Sequence, residues 1–218
     1  MRSSPKMLLF QQFALVAKTL GHPLRIELIE QLGQGARTVE LLAGKLGLPI
    51  ANVSQHLQAM RRAGLVAAQR KGKFIEYRLA TPSVLEAVGA LQRVAEDNLA
   101  EVDKVVRGYF RERDSLEPVS REELQARMQE GSVTVFDVRP PDEYALGHLP
   151  RAINVPLEAL ESVVNASTPY QDVVAYCRGP YCVMAFEAVA KLRQRGLRAH
   201  RLEGGMPEWI AAGLPVET

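Results

Sequence analysis

One stretch constrains the fold of this chain more than any other. Val173-Val174-Ala175-Tyr176 is an apolar, β-prone run that stops on Cys177. A short Gly/Pro loop, Arg178-Gly179-Pro180-Tyr181, follows, and a helical pattern runs from about Val183 to Gln194. Further strands are predicted at Val133–Val138 and Ala199–Leu202, with helical stretches between them. Ser120 is placed to cap a helix over Arg121–Gln129, with Glu123 near the capping-box position. Strands alternating with helices imply an α/β domain with a parallel sheet. Ligands of such sheets bind at the carboxyl ends of the strands, where Cys177 falls.

The loop puts the Cys177 thiol inside a ring of backbone N–H groups at a helix N-terminus, and both features favour the thiolate. The amides of Gly179, Tyr181, Cys182 and Val183 are the candidate cradle for a bound sulfur. Pro180 has no N–H and serves as a turn element. Arg178 is either an attractor for an anionic donor or a solvated loop charge. Cys177 and Cys182 are the only cysteines. They lie five residues apart, and curvature of the loop is expected to bring their Cα atoms near the roughly 7 Å limit for a direct disulfide. Cys182 is therefore either a resolving thiol or a space-filler at the helix start. Two cysteines are too few for a disulfide-stapled secreted scaffold, so a reduced, cytoplasmic setting is the simpler reading.

The first half follows a different period. Leu9, Phe13, Val16 and Leu20 recur at helical spacing, and Gly21-His22-Pro23 breaks the pattern. A second helix is predicted from Pro23 to Leu32. A third is capped by Thr38, with Leu41, Leu42 and Leu46 inward. After Gly47-Leu48-Pro49 a fourth helix buries Val53, Leu57 and Met60 and ends at Gly64. Two helices joined by a short Gly-containing turn form a helix-turn-helix. The polar side of the fourth helix carries Asn52, Ser54, Gln55, His56, Gln58 and Arg62, side chains suited to base edges and phosphates. Two strand-like runs then flank a basic tip of Arg70, Lys71 and Lys73, fit for phosphate or minor-groove contact. Beyond Pro82, apolar residues from Val84 to Val106 predict one helix of roughly 40 Å. It is too long to bury itself on so small a domain, which implies a homodimer.

Charge divides the same way. Met1 to Asp114 holds 17 basic and 11 acidic side chains, whereas Ser115 to Thr218 holds 10 and 14. A basic half joined to an acidic half suggests two domains, the first with a polyanionic partner. The start of the chain resembles a signal peptide faintly, but Gln11-Gln12 interrupts its apolar run. No stretch has the length of a membrane span, so no membrane partner is expected.

Residues 7–110 resemble a winged helix-turn-helix repressor of the ArsR/SmtB family. The matching stretches are Leu20-Gly21-His22-Pro23-Leu24-Arg25-Ile26, Asn52-Val53-Ser54-Gln55-His56-Leu57, Gly64-Leu65-Val66 and the basic wing. The resemblance implies a dimer paired through its first and last helices that leaves double-stranded operator DNA when a metal or oxidant binds. Such proteins ligate metals through cysteines in the third helix or Asp/His clusters in the last. Neither cysteine nor histidine stands there in this chain, so no metal site is expected.

Residues 118–217 resemble a rhodanese domain. The resemblance rests on Phe136-Asp137-Val138-Arg139 with Glu143-Tyr144 and Gly147-His148-Leu149-Pro150-Arg151-Ala152, then the cysteine loop, then Gly204-Gly205-Met206-Pro207-Glu208-Trp209 and Gly213-Leu214-Pro215-Val216. It implies that Cys177 takes a sulfane sulfur, from thiosulfate or polysulfide, and holds it as a persulfide without a cofactor. Related phosphatases of the Cys-x5-Arg type need an arginine where this chain has Val183, which argues against that chemistry.

The expected organisation is a mainly α winged helix-turn-helix domain (1–110), a linker (111–120) and an α/β rhodanese-like domain with a parallel sheet (121–218). The expected function is a repressor that senses reactive or sulfane sulfur through Cys177. The alternatives are a sulfurtransferase with an autoregulatory DNA-binding domain, and a regulator whose rhodanese module is catalytically silent.

Overall fold

The computed structural model describes residues 4–111, 118–164 and 172–218. Part of the expected linker, residues 112–117, lies outside these. The chain divides into two compact units, Met1–Val94 and Ala95–Thr218.

The first unit opens with α1 (Pro5–Leu20) and α2 (Pro23–Gly33), separated at Gly21-His22. His22 caps α2 by accepting the Leu24 amide at its Nδ1, 3.2 Å away. The two-residue strand β1 (Arg37–Thr38) leads into α3 (Val39–Leu46), and the Thr38 hydroxyl accepts the Leu41 amide, as expected of a cap. Next come α4 (Ile50–Arg62) and the hairpin of β2 (Val66–Lys71) and β3 (Phe74–Leu79). The antiparallel sheet has the order β1-β3-β2. Lys71 pairs with Phe74, which leaves a two-residue turn of Gly72 and Lys73. Gly72 has φ 64°, a left-handed conformation that glycine adopts without a Cβ clash. The core is built from Leu28, Ile29, Leu42, Val53, Leu57, Met60 and Tyr77, sealed by Val84 and Val88.

Two expectations need correction here. Leu41 is 43% exposed, and Ala43 takes the inward place beside Leu42. The third helix is only eight residues long, so one turn faces the core and Leu41 falls off that face. The long last helix is also interrupted. α5 (Ser83–Asn98) stops, Leu99 takes extended angles, and α6 (Ala100–Val105) follows, then a π-helical turn over Val106–Arg111. The break falls directly after Asp97-Asn98, side chains that compete for backbone hydrogen bonds and weaken a helix interior.

In the second unit Val119 bridges to Leu202, and Ser120 then caps α7 (Arg121–Glu130) by accepting the Glu123 amide. The order continues with β4 (Thr134–Asp137), α8 (Pro141–Tyr144), β5 (Ile153–Asn154), α9 (Leu160–Val163), β6 (Asp172–Tyr176), α10 (Val183–Gln194), β7 (Arg198–Arg201) and α11 (Met206–Ala211). The four strands form one parallel sheet, β5-β4-β6-β7. Strand residues alternate between its faces. Val173 and Ala175 pack with α10 residues Ala188, Val189 and Leu192. Val174 and Tyr176 pack with Leu124, Met206 and Trp209 on the other face. Both faces are covered, which is why β6 reads as an unbroken apolar run rather than an alternating one. Among the described residues no helix is long and apolar enough to cross a membrane.

Candidate functional site

The first unit presents a helix-and-wing surface. Val53, Leu57 and Met60 are fully buried, so the opposite side of α4 is held outward. Asn52, Gln55 and Arg62 are exposed on it. Ser54 is half-buried and its hydroxyl accepts Gln58 Nε2. His56 stands apart: its Nδ1 accepts Arg25 Nε at 3.2 Å, and its ring lies 4.5 Å from that of His22. Burial, then the charges of His22 and Arg25, lower the His56 pKa. At the hairpin tip Arg70, Lys71 and Lys73 are all exposed. Arg70 Nε donates to Gly72 O, Lys71 Nζ lies 3.4 Å from Glu76, and Lys73 sits over the Phe74 ring. Alanine at Lys73 should weaken binding to every DNA sequence and reduce the salt slope by about one unit. Fluorescence anisotropy at several salt concentrations measures both.

The second unit builds a site at the carboxyl end of β6. Cys177 is the first residue after the strand and is almost fully buried. Cys182 is the N-cap residue of α10, and Val183 opens that helix. The loop brings the two Cα atoms to 6.2 Å, and the sulfurs are joined as a disulfide. The Cys182 amide donates to Gly179 O at 3.1 Å, which closes the loop on itself.

Two neighbours hold this loop, and neither role is legible in the sequence. Met206 donates its amide to Cys177 O at 3.1 Å. Gly205 lies so close behind the loop that a Cβ there would meet Cys177 O and Gly179 N, both at 2.5 Å. No side chain fits. The Gly204-Gly205 pair is the only trace of this close approach in the sequence.

Arg178, read from the sequence as either an anion attractor or a solvated loop charge, is paired with a carboxylate. Arg178 donates through Nε and Nη2 to the two Glu143 carboxylate oxygens, at 2.9 and 2.8 Å. Glu143, on α8, is fully buried. Tyr181, between the cysteines, donates its hydroxyl to the Glu96 carboxylate. Burial and that carboxylate raise the phenol's pKa, so it remains a donor.

Behind the loop, Asp137 accepts Arg139 N at 2.9 Å, Arg139 Nε at 3.0 and 3.1 Å, and the Tyr176 hydroxyl. Burial works against the charge of Arg139, but the hydrogen bond and charge of Asp137 outweigh it and raise the guanidinium's pKa. Asp137 and Arg139 thus tie β4 to Tyr176 of β6 and to the turn that follows β4. His148 is a structural hydrogen-bonder: its Nδ1 meets Tyr144 O at 3.1 Å, and its ring stacks on Tyr144. Among the described residues no group of three or more metal-ligating side chains forms.

Both units are similar to known proteins. A helix-turn-helix domain model matches residues 20–68, and a rhodanese-like domain model matches residues 120–212. The HTH-type transcriptional regulator Rv0324 of Mycobacterium tuberculosis is 40% identical over 216 residues, covering 99% of this chain and 95% of that protein. A sulfurtransferase of Allochromatium vinosum is 32% identical over 100 residues, 45% of this chain and 92% of that protein. The solved winged helix-turn-helix domain Mb0332 of Mycobacterium bovis, described as a homodimeric fragment of a possible ArsR-family regulator, is 35% identical. It covers 46% of this chain and 94% of its own, with a TM-score of 0.42. The match to the regulator runs through both units, and the chain belongs to the ArsR-type winged helix-turn-helix transcriptional regulators, with a rhodanese-like domain as its second half.

Proposed function

We propose that this regulator is a dimeric repressor whose grip on operator DNA is set by sulfane sulfur at Cys177. The observation that carries the reading is the closure of Cys177 on Cys182, with Cα atoms 6.2 Å apart at the carboxyl end of a buried parallel strand. A nucleophile with a second thiol in bonding reach can both accept sulfur and resolve the adduct. The DNA-binding unit holds no cysteine of its own.

The chemistry balances without a cofactor. The Cys177 thiolate attacks the outer sulfur of a donor R–S–SH. A new S–S bond forms, and the old one breaks with its electron pair on the departing R–S⁻. The Cys182 thiolate then attacks Cys177 Sγ, expels HS⁻ and leaves the Cys177–Cys182 disulfide. A donor that leaves two sulfurs on Cys177 gives a trisulfide bridge by the same expulsion of HS⁻.

In this reading α4 and the wing hold the operator, and α1 and α5 pair two copies. Leu9 and Phe13 on α1 and Leu91 and Val94 on α5 are exposed in the single chain, as a dimer seam requires before assembly. The similarity to a sulfurtransferase supports a second reading, in which sulfur transfer turns over as an enzymatic activity.

Operator titrations before and after polysulfide treatment test the proposal. Treated wild-type protein should lose affinity by about 5- to 150-fold, as a coupling of 1–3 kcal/mol gives. Cys177→Ser should form no adduct and keep full affinity. Cys182→Ser should carry an open persulfide and no bridge. Unchanged DNA affinity on sulfur-loaded wild-type protein, together with multiple turnovers to an acceptor thiol, would establish the enzyme instead.

A further inference from the structure

We propose that the rhodanese-like unit carries a second binding site, at Arg151 and Trp209, for small monocarboxylates with a flat apolar body. The site contains no residue of the cysteine loop, and the inference does not depend on sulfur chemistry at Cys177.

Among the described residues Arg151, at φ 59°, is the one non-glycine with a positive φ. In this left-handed region the Cβ of an L-residue is crowded by main chain, and glycine is the relaxed choice. The conformation is held from outside the turn. Arg151 N donates to Glu217 Oε2 at 3.0 Å, and His148 and Glu217 exchange main-chain hydrogen bonds at 2.9 Å each. An unfavourable angle enforced by its surroundings points to a use for the side chain it positions. The turn lies at the amino end of the sheet, since Pro150-Arg151 leads into β5 as α7 leads into β4. Cys177 follows the carboxyl end of β6, so the two sites are separate.

Arg151 lines a cavity of about 400 Å³, a size that suits a small molecule. Trp209 of α11 forms part of its wall, and its indole N–H donates to Pro215 O at 2.8 Å, which fixes the ring. Met128, Pro150 and Pro215 extend the apolar wall. Gln125 and Gln129, one turn apart on α7, supply two side-chain amides. Arg151 is the only charged residue of this lining. Among the described residues its guanidinium has no hydrogen-bond or ion-pair partner, and neither have the two glutamine amides. A carboxylate takes a guanidinium fork through two parallel hydrogen bonds. A flat apolar group attached to it can lie against the fixed indole and the prolines. Glu217 binds the Arg151 main-chain amide, so a dianion would meet one cation and a neighbouring anion. A bare inorganic anion would leave the apolar wall unused. The lining therefore favours a single carboxylate on an apolar body.

Trp209 is the only tryptophan of the chain, so tryptophan fluorescence reports on this cavity. The test titrates the full-length protein with sodium phenylacetate, and in parallel with phenylacetamide and sodium acetate, at constant ionic strength. Phenylacetate should change the fluorescence saturably, with half-saturation at about 1 mM or below. The uncharged amide and the bare acetate should each bind at least about tenfold more weakly, since one lacks the charge and the other the apolar body. Arg151→Gly should weaken phenylacetate at least about tenfold and change phenylacetamide less than about twofold. This variant should unfold within about 5 °C of wild type, because relief at the left-handed angle offsets glycine's greater freedom in the unfolded chain. Arg151→Asn, whose side chain also tolerates that angle, removes the charge in a second background and should give the same loss. No saturable response up to about 10 mM phenylacetate, equal affinities for acid and amide, or unchanged phenylacetate binding in the two variants would each overturn the assignment.

Discussion

Arg139→Met should destabilise the rhodanese-like unit by about 3–5 kcal/mol, the cost of leaving a buried charge without its partner. Arg139 and Asp137 are both completely buried, and the guanidinium also donates to Gly147 O at 2.7 Å. Methionine approximates the volume but supplies no donor. The Asp137 carboxylate would keep the Tyr176 hydroxyl and the Arg139 main-chain amide, and lose its counter-charge. The carbonyl of Gly147 would lose this donor at the same time. Chemical denaturation of the full chain, followed by far-ultraviolet circular dichroism, reads the effect as an earlier transition in the second unit. Asp137→Leu combined with Arg139→Met should recover much of the loss, because removing both charges also removes the desolvation cost. A single-variant loss below about 1 kcal/mol would show that water reaches this pair.

Leu91→Lys and Leu99→Lys should each give monomers that bind a palindromic operator at least about 100-fold more weakly, since two linked half-site contacts become one. Leu91 is 47% exposed and Leu99 is 52% exposed, while Val94, Val105 and Phe13 are more open still. A lysine there costs the isolated chain little and should not disturb the core around Leu28 and Leu57. Placed in a two-fold seam it would bring like charges together on apolar surface. Analytical ultracentrifugation at micromolar concentration, alongside anisotropy with a palindromic and a half-site duplex, separates assembly from DNA contact. A variant that stays dimeric would place the seam elsewhere. A wild-type chain that runs as a monomer would remove the dimer from the proposal.

The boundary between local and long-range information runs through individual residues. Local patterns along the chain suffice to place α1 to α4, the hairpin, α10 and the strands around Phe136, Val174 and His200. Apolar period, Gly/Pro punctuation and caps such as Thr38 and Ser120 act within a few positions of the residues they organise. The same local signals put Cys177 after a strand and Cys182 at a helix start. They did not show the break at Leu99, the two-residue strand β5, or the outward turn of Leu41. In each case a short or weak pattern depends on neighbours that the local sequence does not name. Tertiary structure alone decided that Arg178 turns to Glu143, 35 positions away, and that Tyr181 reaches Glu96, 85 positions away. It also decided that Gly205 must be bare where it meets Cys177 O. Residue type shows that a side chain can carry charge. Only the packed chain shows where that charge is compensated, because a buried group finds its partner across space and not along the sequence.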